Sequence, residues 1–502
     1  MNMRKETNQP KTEFDKTSCQ QSLSQHLCDY FAKCADVKVE TFQLATADSS
    51  APISYFYCDG LTDAKQYRQF VFSDLQKMFS MYSSIEELEQ HRTLPLQPID
   101  SPVDIKEIER ELFAGKLIIC LGEYDRAFLL DISDPPNRMP EESNTEISIK
   151  GPKDGFTESV STNVALIRKR LRTESMWYES FTIGVRGQSQ VALLYINDII
   201  DPYLVEEVRH RLTNISVDAL VSSSELGEAL GDSSYALFPL LDYIGRPDFV
   251  VQSLLHGRFI IFLEGSPMAL IGPTNLLATL KSPEDVHFPF FFVTFERILR
   301  LLGLIASIFT PGFWIALISF NVEQLPFPLL ATVTTARVGL PLSSSMEMFL
   351  MMGLFELFRE AGIRLPKAVG QTIAVVGGLI VGDASIRAGL GSSTTLVIAA
   401  VTAVATFTLV NQSLSGTVSV LRVFVLILSS FLGMYGFFLA LLSIVFYLCT
   451  QESFGLPYLA PISPPTFGDM LKSLIALPLK SMKKRPEILH TTDSTKQGRE
   501  KS

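Results

Sequence analysis

Charge is missing from three long stretches of this 502-residue chain: residues 301–320, 391–410 and 423–450 contain no Asp, Glu, Lys or Arg. A bilayer core is about 30 Å thick, so a spanning helix needs roughly 20 apolar residues at 1.5 Å each. All three runs meet that length, and they predict an integral membrane protein. Other absences narrow the function. There is no G-x-S-x-G, no Walker A loop and no H-E-x-x-H, which removes the usual hydrolase, nucleotidase and metalloprotease readings. The six cysteines form no C-x-x-C pair, and the six histidines are scattered, so no metal or other cofactor is expected. A net charge of −10 without a basic cluster argues against a nucleic-acid partner. The first residues, MNMRKETNQPKTEFDK, lack an apolar core. They read as no signal peptide, and the N-terminal half is expected in the cytosol.

What is present falls into two unlike halves. Residues 1–22 are polar and expected to be disordered. The soluble half then repeats itself. ISYFYCDGLTD (53–63) parallels VALLYINDIID (191–201), and LFAGKLIICLGEYDRAFLLDI (112–132) parallels LLHGRFIIFLEGSPMALIGP (254–273). Each second block reads as a helix end, a glycine C-cap (Gly115 or Gly257), a strand, a turn and another strand. The expected division is subdomain 1 at 23–140, a linker at 141–158 and subdomain 2 at 159–284. A transmembrane helical domain at 285–450 and a polar, basic tail at 451–502 follow. The fold class is an α/β soluble region of two related subdomains followed by a multi-span α-helical membrane domain. Helices are expected at 65–80, 103–114, 160–172, 201–212 and 246–256, with Asp201-Pro202 opening the fourth.

Arg297 and Arg300 precede the run 301–320, which puts that end in the cytoplasm by the positive-inside rule. Counting five spans puts the basic tail on the opposite side, against that rule. Either a re-entrant piece is counted as a span, or the run 423–450 breaks at Gly433–Gly436.

Ionisable residues at membrane depth are costly and mark functional candidates. Glu347 and Glu356 are nine positions apart, on opposite helix faces, so they do not form a catalytic dyad. Glu356, Arg359 and Glu360 have ion-pair spacing; pairing that fixes the fold and a part in an ion path both fit. Residues 368–384 combine Gln371, Thr372, Val375, Val376, Leu379 and Asp383 with Gly378-x-x-x-Gly382. A polar mouth, an aliphatic middle and an acidic end suit a pore with a dewetting constriction, while the two glycines suit close helix packing.

Several stretches together carry a family resemblance: DIIDPYLVEEVRHRL (198–212), IGRPDFVVQSLLHGRFIIFLEGSPMALIGP (244–273), SPEDVHFPFFFVTFERILR (282–300) and MFLMMGLFELFREAGIRLPKAVGQTIAVVGGLIVGDASIRAGL (348–390). In this order they resemble the A subunit of the GerA-type spore germination receptors. The resemblance implies a non-enzymatic subunit in the lipid of the spore inner membrane, acting with a transporter-like B subunit and a lipoprotein C subunit. It also implies a homo-oligomer that forms an ion channel opened by nutrient. A scaffold that assembles B and C without conducting is the alternative.

Overall fold

The computed structural model describes residues 22–45, 50–63, 96–99, 105–121, 126–134, 148–233, 235–364, 384–478, 481 and 483–496. The helix expected at 65–80 and the polar residues before Ser22 lie outside them. Helix α1 (Ser22–Tyr30) leads into β1 (Val37–Ala45), β2 (Ser50–Cys58), β3 (Gln97–Pro98), α2 (Ile105–Leu112), β4 (Leu117–Leu121) and β5 (Arg126–Leu130). Then come α3 (Val160–Arg168), β6 (Met176–Ile183), β7 (Ser189–Ile196), α4 (Pro202–Asn214), α5 (Ser223–Leu230), β8 (Asp242–Ile244), α6 (Pro247–Leu255), β9 (Phe259–Leu263) and β10 (Ala269–Gly272).

The two sheets have one topology. Their orders are β1-β2-β4-β5-β3 and β6-β7-β9-β10-β8, antiparallel throughout. The correspondence reaches single hydrogen bonds. Tyr57 donates to Glu40 across β1–β2 at 2.9 Å, and Tyr195 donates to Glu179 across β6–β7 at 2.6 Å. Gly115 and Gly257 both end a helix at positive φ, 96° and 88°. In each copy the glycine N–H bonds to the carbonyl three residues back and the next N–H to the one five back. Two such bonds close a helix end that a residue with a Cβ would strain.

The apolar runs of the second sheet are explained by burial on both faces. Val191, Leu193 and Tyr195 face a layer of α4 and α5, whereas Ala192, Leu194 and Ile196 face α3 and α6. Asp201 caps α4 by accepting from the Tyr203 N–H at 3.0 Å. The two sheet units are fastened by Arg168 of α3, fully buried, which donates to Asp36 at 2.7 and 3.2 Å and stacks on Phe113.

After a short α7 (Leu276–Thr279) and a 3-10 turn (Pro283–Val286), the helix layer begins. It comprises α8 (Phe290–Phe320), α9 (Phe327–Arg337), α10 (Ser344–Arg364), α11 (Ser393–Phe407) and α12 (Gln412–Thr450). By length and composition, α8 and residues 413–450 could cross a membrane. Two helices start earlier than their uncharged runs, α8 at Phe290 and α12 at Gln412, because Arg297, Arg300 and Arg422 are paired within the fold.

The helix α12 is two arms. Gly433 has φ 60° and ψ −137°, which breaks the helix, and the ring of Phe320, at the end of α8, packs against it. Both arms return to the same strip of the soluble half. Asn411 donates to Asp242 at 2.6 Å and Thr417 donates to the Leu237 carbonyl. From the other arm, Tyr447 accepts from the Leu237 N–H at 2.8 Å, and Ser453 just beyond donates to the Leu240 carbonyl at 2.7 Å. Leu414, Val418, Leu421 and Val425 pack in one core with Phe437, Ala440, Ile444 and Leu448, the i, i+3/i+4 stripes of two helices.

The chain then forms β11 (Glu452–Ser453), β12 (Leu456–Pro457) and α13 (Phe467–Leu474), and its tail lies on the second sheet unit. Thr492 bonds to the Ile199 and Ile200 carbonyls, and Arg485 donates to the Leu255 carbonyl at 2.8 Å. Both ends of the helix layer thus lie against the sheet units. The run 423–450 does break, at Gly433, which is one of the two alternatives the sequence leaves open.

Valine at position 433 should destabilise the protein by about 3 kcal/mol or more, from backbone strain and displacement of Phe320. Thermal unfolding of the full-length protein in detergent would read it, and an unchanged midpoint would rule out the two-arm turn.

Candidate functional site

Two polar assemblies occupy places where charge is expensive. The first joins the soluble half to the helix layer. Arg246, 1% exposed at the start of α6, grips Asp248 with Nε and a terminal nitrogen at 3.1 and 2.6 Å. Its other terminal nitrogen donates to Glu284. Glu284 also accepts from Ser148 Oγ at 3.3 Å and from the Lys150 N–H at 3.0 Å. Burial opposes its ionisation, but the Arg246 and backbone hydrogen bonds outweigh this and hold it below the usual carboxylate range.

The next residue, Asp285, faces the other way. In a 3-10 turn successive side chains are about 120° apart, so Glu284 turns to the soluble half and Asp285 to α8. Asp285 accepts from Arg297 Nε and an Arg300 terminal nitrogen, each at 2.9 Å. The two arginines share a face of α8 by their i, i+3 spacing. Arg300 also reaches the Leu280 carbonyl at 3.2 Å and Glu296 at 3.0 Å. His287 Nε2 lies 3.0 Å from Asp248. The R-P-D and S-P-E-D segments are thus one physical unit, a charged hinge-pin between two bodies.

The second assembly is inside the helix layer. Glu356 and Arg359 of α10 pair at 2.7 Å, and Arg422 of α12, 3% exposed in its side chain, also donates to Glu356. Ser419 donates to Glu356 at 2.9 Å, Arg359 to Ser415 Oγ at 3.1 Å and Arg422 to Thr406 Oγ1 at 3.1 Å. Glu360 lies exposed on the same helix. At the distal end of α10, Glu347 is fully buried and accepts from the Ser392 N–H, Ser392 Oγ and Thr395 Oγ1 at 3.0–3.2 Å. It sits at the N-terminus of α11, where the helix dipole favours an anion. Arg337 approaches its second oxygen at 3.8 Å. Among the described residues no group of three or more His, Cys, Asp or Glu could hold a metal.

The structure therefore brings Glu356 and Arg359 together and adds Arg422, which the sequence reading missed. The signal was available: Arg422 is the only charged residue between 391 and 450. Gln371, Thr372, Val375, Val376, Leu379 and Asp383, with Gly378 and Gly382, lie outside the described residues. What flanks them is described. Along α12 from Asn411, α10 contributes first Arg359, then Glu356, then Met352 and Met348. The end of α10 is therefore nearest the soluble half, whereas Ser392 lies beside Glu347 at the distal level.

Comparison with known proteins agrees over most of the length. The profile of the family described as Bacillus/Clostridium GerA spore germination protein matches residues 25–488. Spore germination protein XA of Bacillus anthracis is 42% identical over 470 residues, 93% of this chain and 96% of that protein. Spore germination protein B1 of Bacillus subtilis (strain 168) is 33% identical, over 91% of this chain and 94% of its own. The crystal structure of the N-terminal domain of the A subunit of the Bacillus megaterium spore germinant receptor GerK3 aligns with 51% of this chain and 96% of its own, at 27% identity and a TM-score of 0.38.

Three substitutions test these assemblies. Asp285→Asn leaves two arginines without their shared anion and should cost about 3 kcal/mol, the usual loss when one member of a buried pair is removed. Glu356→Gln and Arg422→Gln should each lower the unfolding temperature, and the double variant should recover part of the loss. Additive losses in that cycle would mean the two residues are energetically independent.

Proposed function

Because the chain belongs to the Bacillus/Clostridium GerA spore germination protein family, we propose that it is the A subunit of a nutrient germinant receptor in the spore inner membrane. Its role in that receptor is an oligomeric, ion-conducting core. Copies of the chain surround a water-accessible axis lined by residues 368–384, with Val375, Val376 and Leu379 at the narrowest point. The transporter-like B subunit and the lipoprotein C subunit complete the receptor, and nutrient capture opens the axis.

One observation carries this reading. The helix layer resumes at the distal level by Ser392, while α10 ends at the level of the soluble half. The stretch between them holds Gln371 and Asp383 at its two ends and glycine and valine between them. Glu356, Arg359 and Arg422 are occupied with one another, which favours a role as rivets over one in an ion path. Val397, Val401, Val404 and Phe407 of α11 remain exposed and suit lipid or a neighbouring copy. The soluble half and the tail lie on the cytosolic side, consistent with Arg297, Arg300 and the basic tail.

Purified full-length protein in planar bilayers should carry monovalent cation current. Val375→Ala or Val376→Ala should raise the resting current severalfold and let spores germinate without nutrient. Silent bilayers together with a B and C complex that falls apart in its absence would favour the scaffold instead.

A further inference from the structure

The soluble half and the helix layer do not fit together completely. Between them is a cavity of about 200 Å³. Asp242 of β8 and Ser224 of α5 line one side, Thr279 and Lys281 follow from the end of α7, and Asn411 and Ser413 come from the start of α12. Four separate elements thus supply polar groups to one small space.

Its charge is unbalanced. Lys281 Nζ has no hydrogen-bond or ion-pair partner among the described residues, and neither does the Arg258 guanidinium behind Asp242. Desolvation, with Arg297, Arg258 and Lys496 nearby, pushes the Lys281 ammonium down to about 7 against the pull of Asp285. Asp285 is already shared by Arg297 and Arg300. Asp242 is the one acid in the lining. It already accepts from Asn411, and burial pushes it up to about 6 although Arg258, the Tyr243 N–H and Asn411 all oppose this. Lys496, reaching in from the tail, lies 3.0 Å from His256 Nε2. Cations outnumber available anions here, and a desolvated ammonium without a counter-ion is costly to maintain. The first residues of α5 and α12 also open on this space, adding the positive ends of two helix dipoles.

We propose that this cavity binds a phosphate group, held by Lys281 at the seam between the soluble half and the helix layer. A tetrahedral oxyanion offers several acceptor oxygens, which suits an ammonium with the Ser224 and Ser413 hydroxyls converging from different elements. Asp242, pushed up to about 6, takes up a proton when the anion enters and then donates to it. On the proposed reading of the helix layer as a membrane domain, the seam faces the headgroup region, so the group comes either from solution or from a phospholipid.

The test uses full-length protein in a phosphate-free maltoside detergent, followed by thermal unfolding. Inorganic phosphate and phosphatidylglycerol are titrated separately, with sodium chloride at matched ionic strength and diacylglycerol as controls. The wild-type midpoint should rise by several degrees with one of the two phosphates and with neither control. A rise with inorganic phosphate identifies a soluble ligand, and a rise with phosphatidylglycerol alone identifies a lipid. Lys281→Gln should unfold at or above the wild-type temperature without ligand, since it removes an unpaired cation, and should lose the rise. Lys281→Arg should keep it. No rise with either phosphate, or an equal rise in Lys281→Gln, overturns the proposal. Should the glutamine variant not fold, Ser413→Ala must weaken the rise at least twofold for the proposal to stand.

Discussion

Two adjacent carboxylates on one short turn join the charged groups of the sheet domain to those of the helix layer. Glu284 is held by Arg246 and by the strand of chain at Ser148–Lys150, and Asp285 is held by Arg297 and Arg300. One turn therefore ties a sheet domain to a bundle of apolar helices through side chains on its two faces. The geometry is possible because a 3-10 turn separates neighbouring side chains by about a third of a revolution. A regular α-helix there would place the two acids in a different relation, and a coil would not fix them at all. The Asp285 bonds to Arg297 and Arg300, each 2.9 Å, have the length of charge-assisted hydrogen bonds.

The same rule governs the helix layer. A buried arginine is tolerated where its carboxylate comes with it, and Arg422 meets Glu356 from another helix. Such pairs contribute little net stability over apolar residues but make wrong pairings of helices expensive. Here they select which face of α10 meets the first arm of α12. Glu347 achieves the same at the other end by occupying the N-terminus of α11. The layer is thus registered at both ends of α10 by polar contacts, with methionine packing between them. Methionine adapts to irregular gaps and leaves the register to the ends.

Local features were legible in the sequence and distant ones were not. The duplication showed because Gly115 and Gly257, Tyr57 and Tyr195 repeat together with their sequence neighbours. The helix at 160–172 and the Asp201 cap are visible as local features. The start of α12 was obscured by Arg422, which looks like a boundary until its partner 66 residues away is known. The break at Gly433 was one of two alternatives in the sequence, because a glycine marks a possible turn but leaves no periodic signal that decides it. The seating of the tail was hidden entirely, because it rests on the backbone carbonyls of Ile199, Ile200 and Leu255, and any sequence supplies carbonyls.

That seating has a bearing on the order in which the protein is made. The surface of the second sheet unit is built from residues near 199 and 255, but Thr492 and Arg485 cover it. A ribosome has to insert the whole helix layer before it can deliver the strand that finishes a domain begun some three hundred codons earlier. Until those residues emerge, that patch stays bare, and the nascent chain presents a face that the mature one conceals.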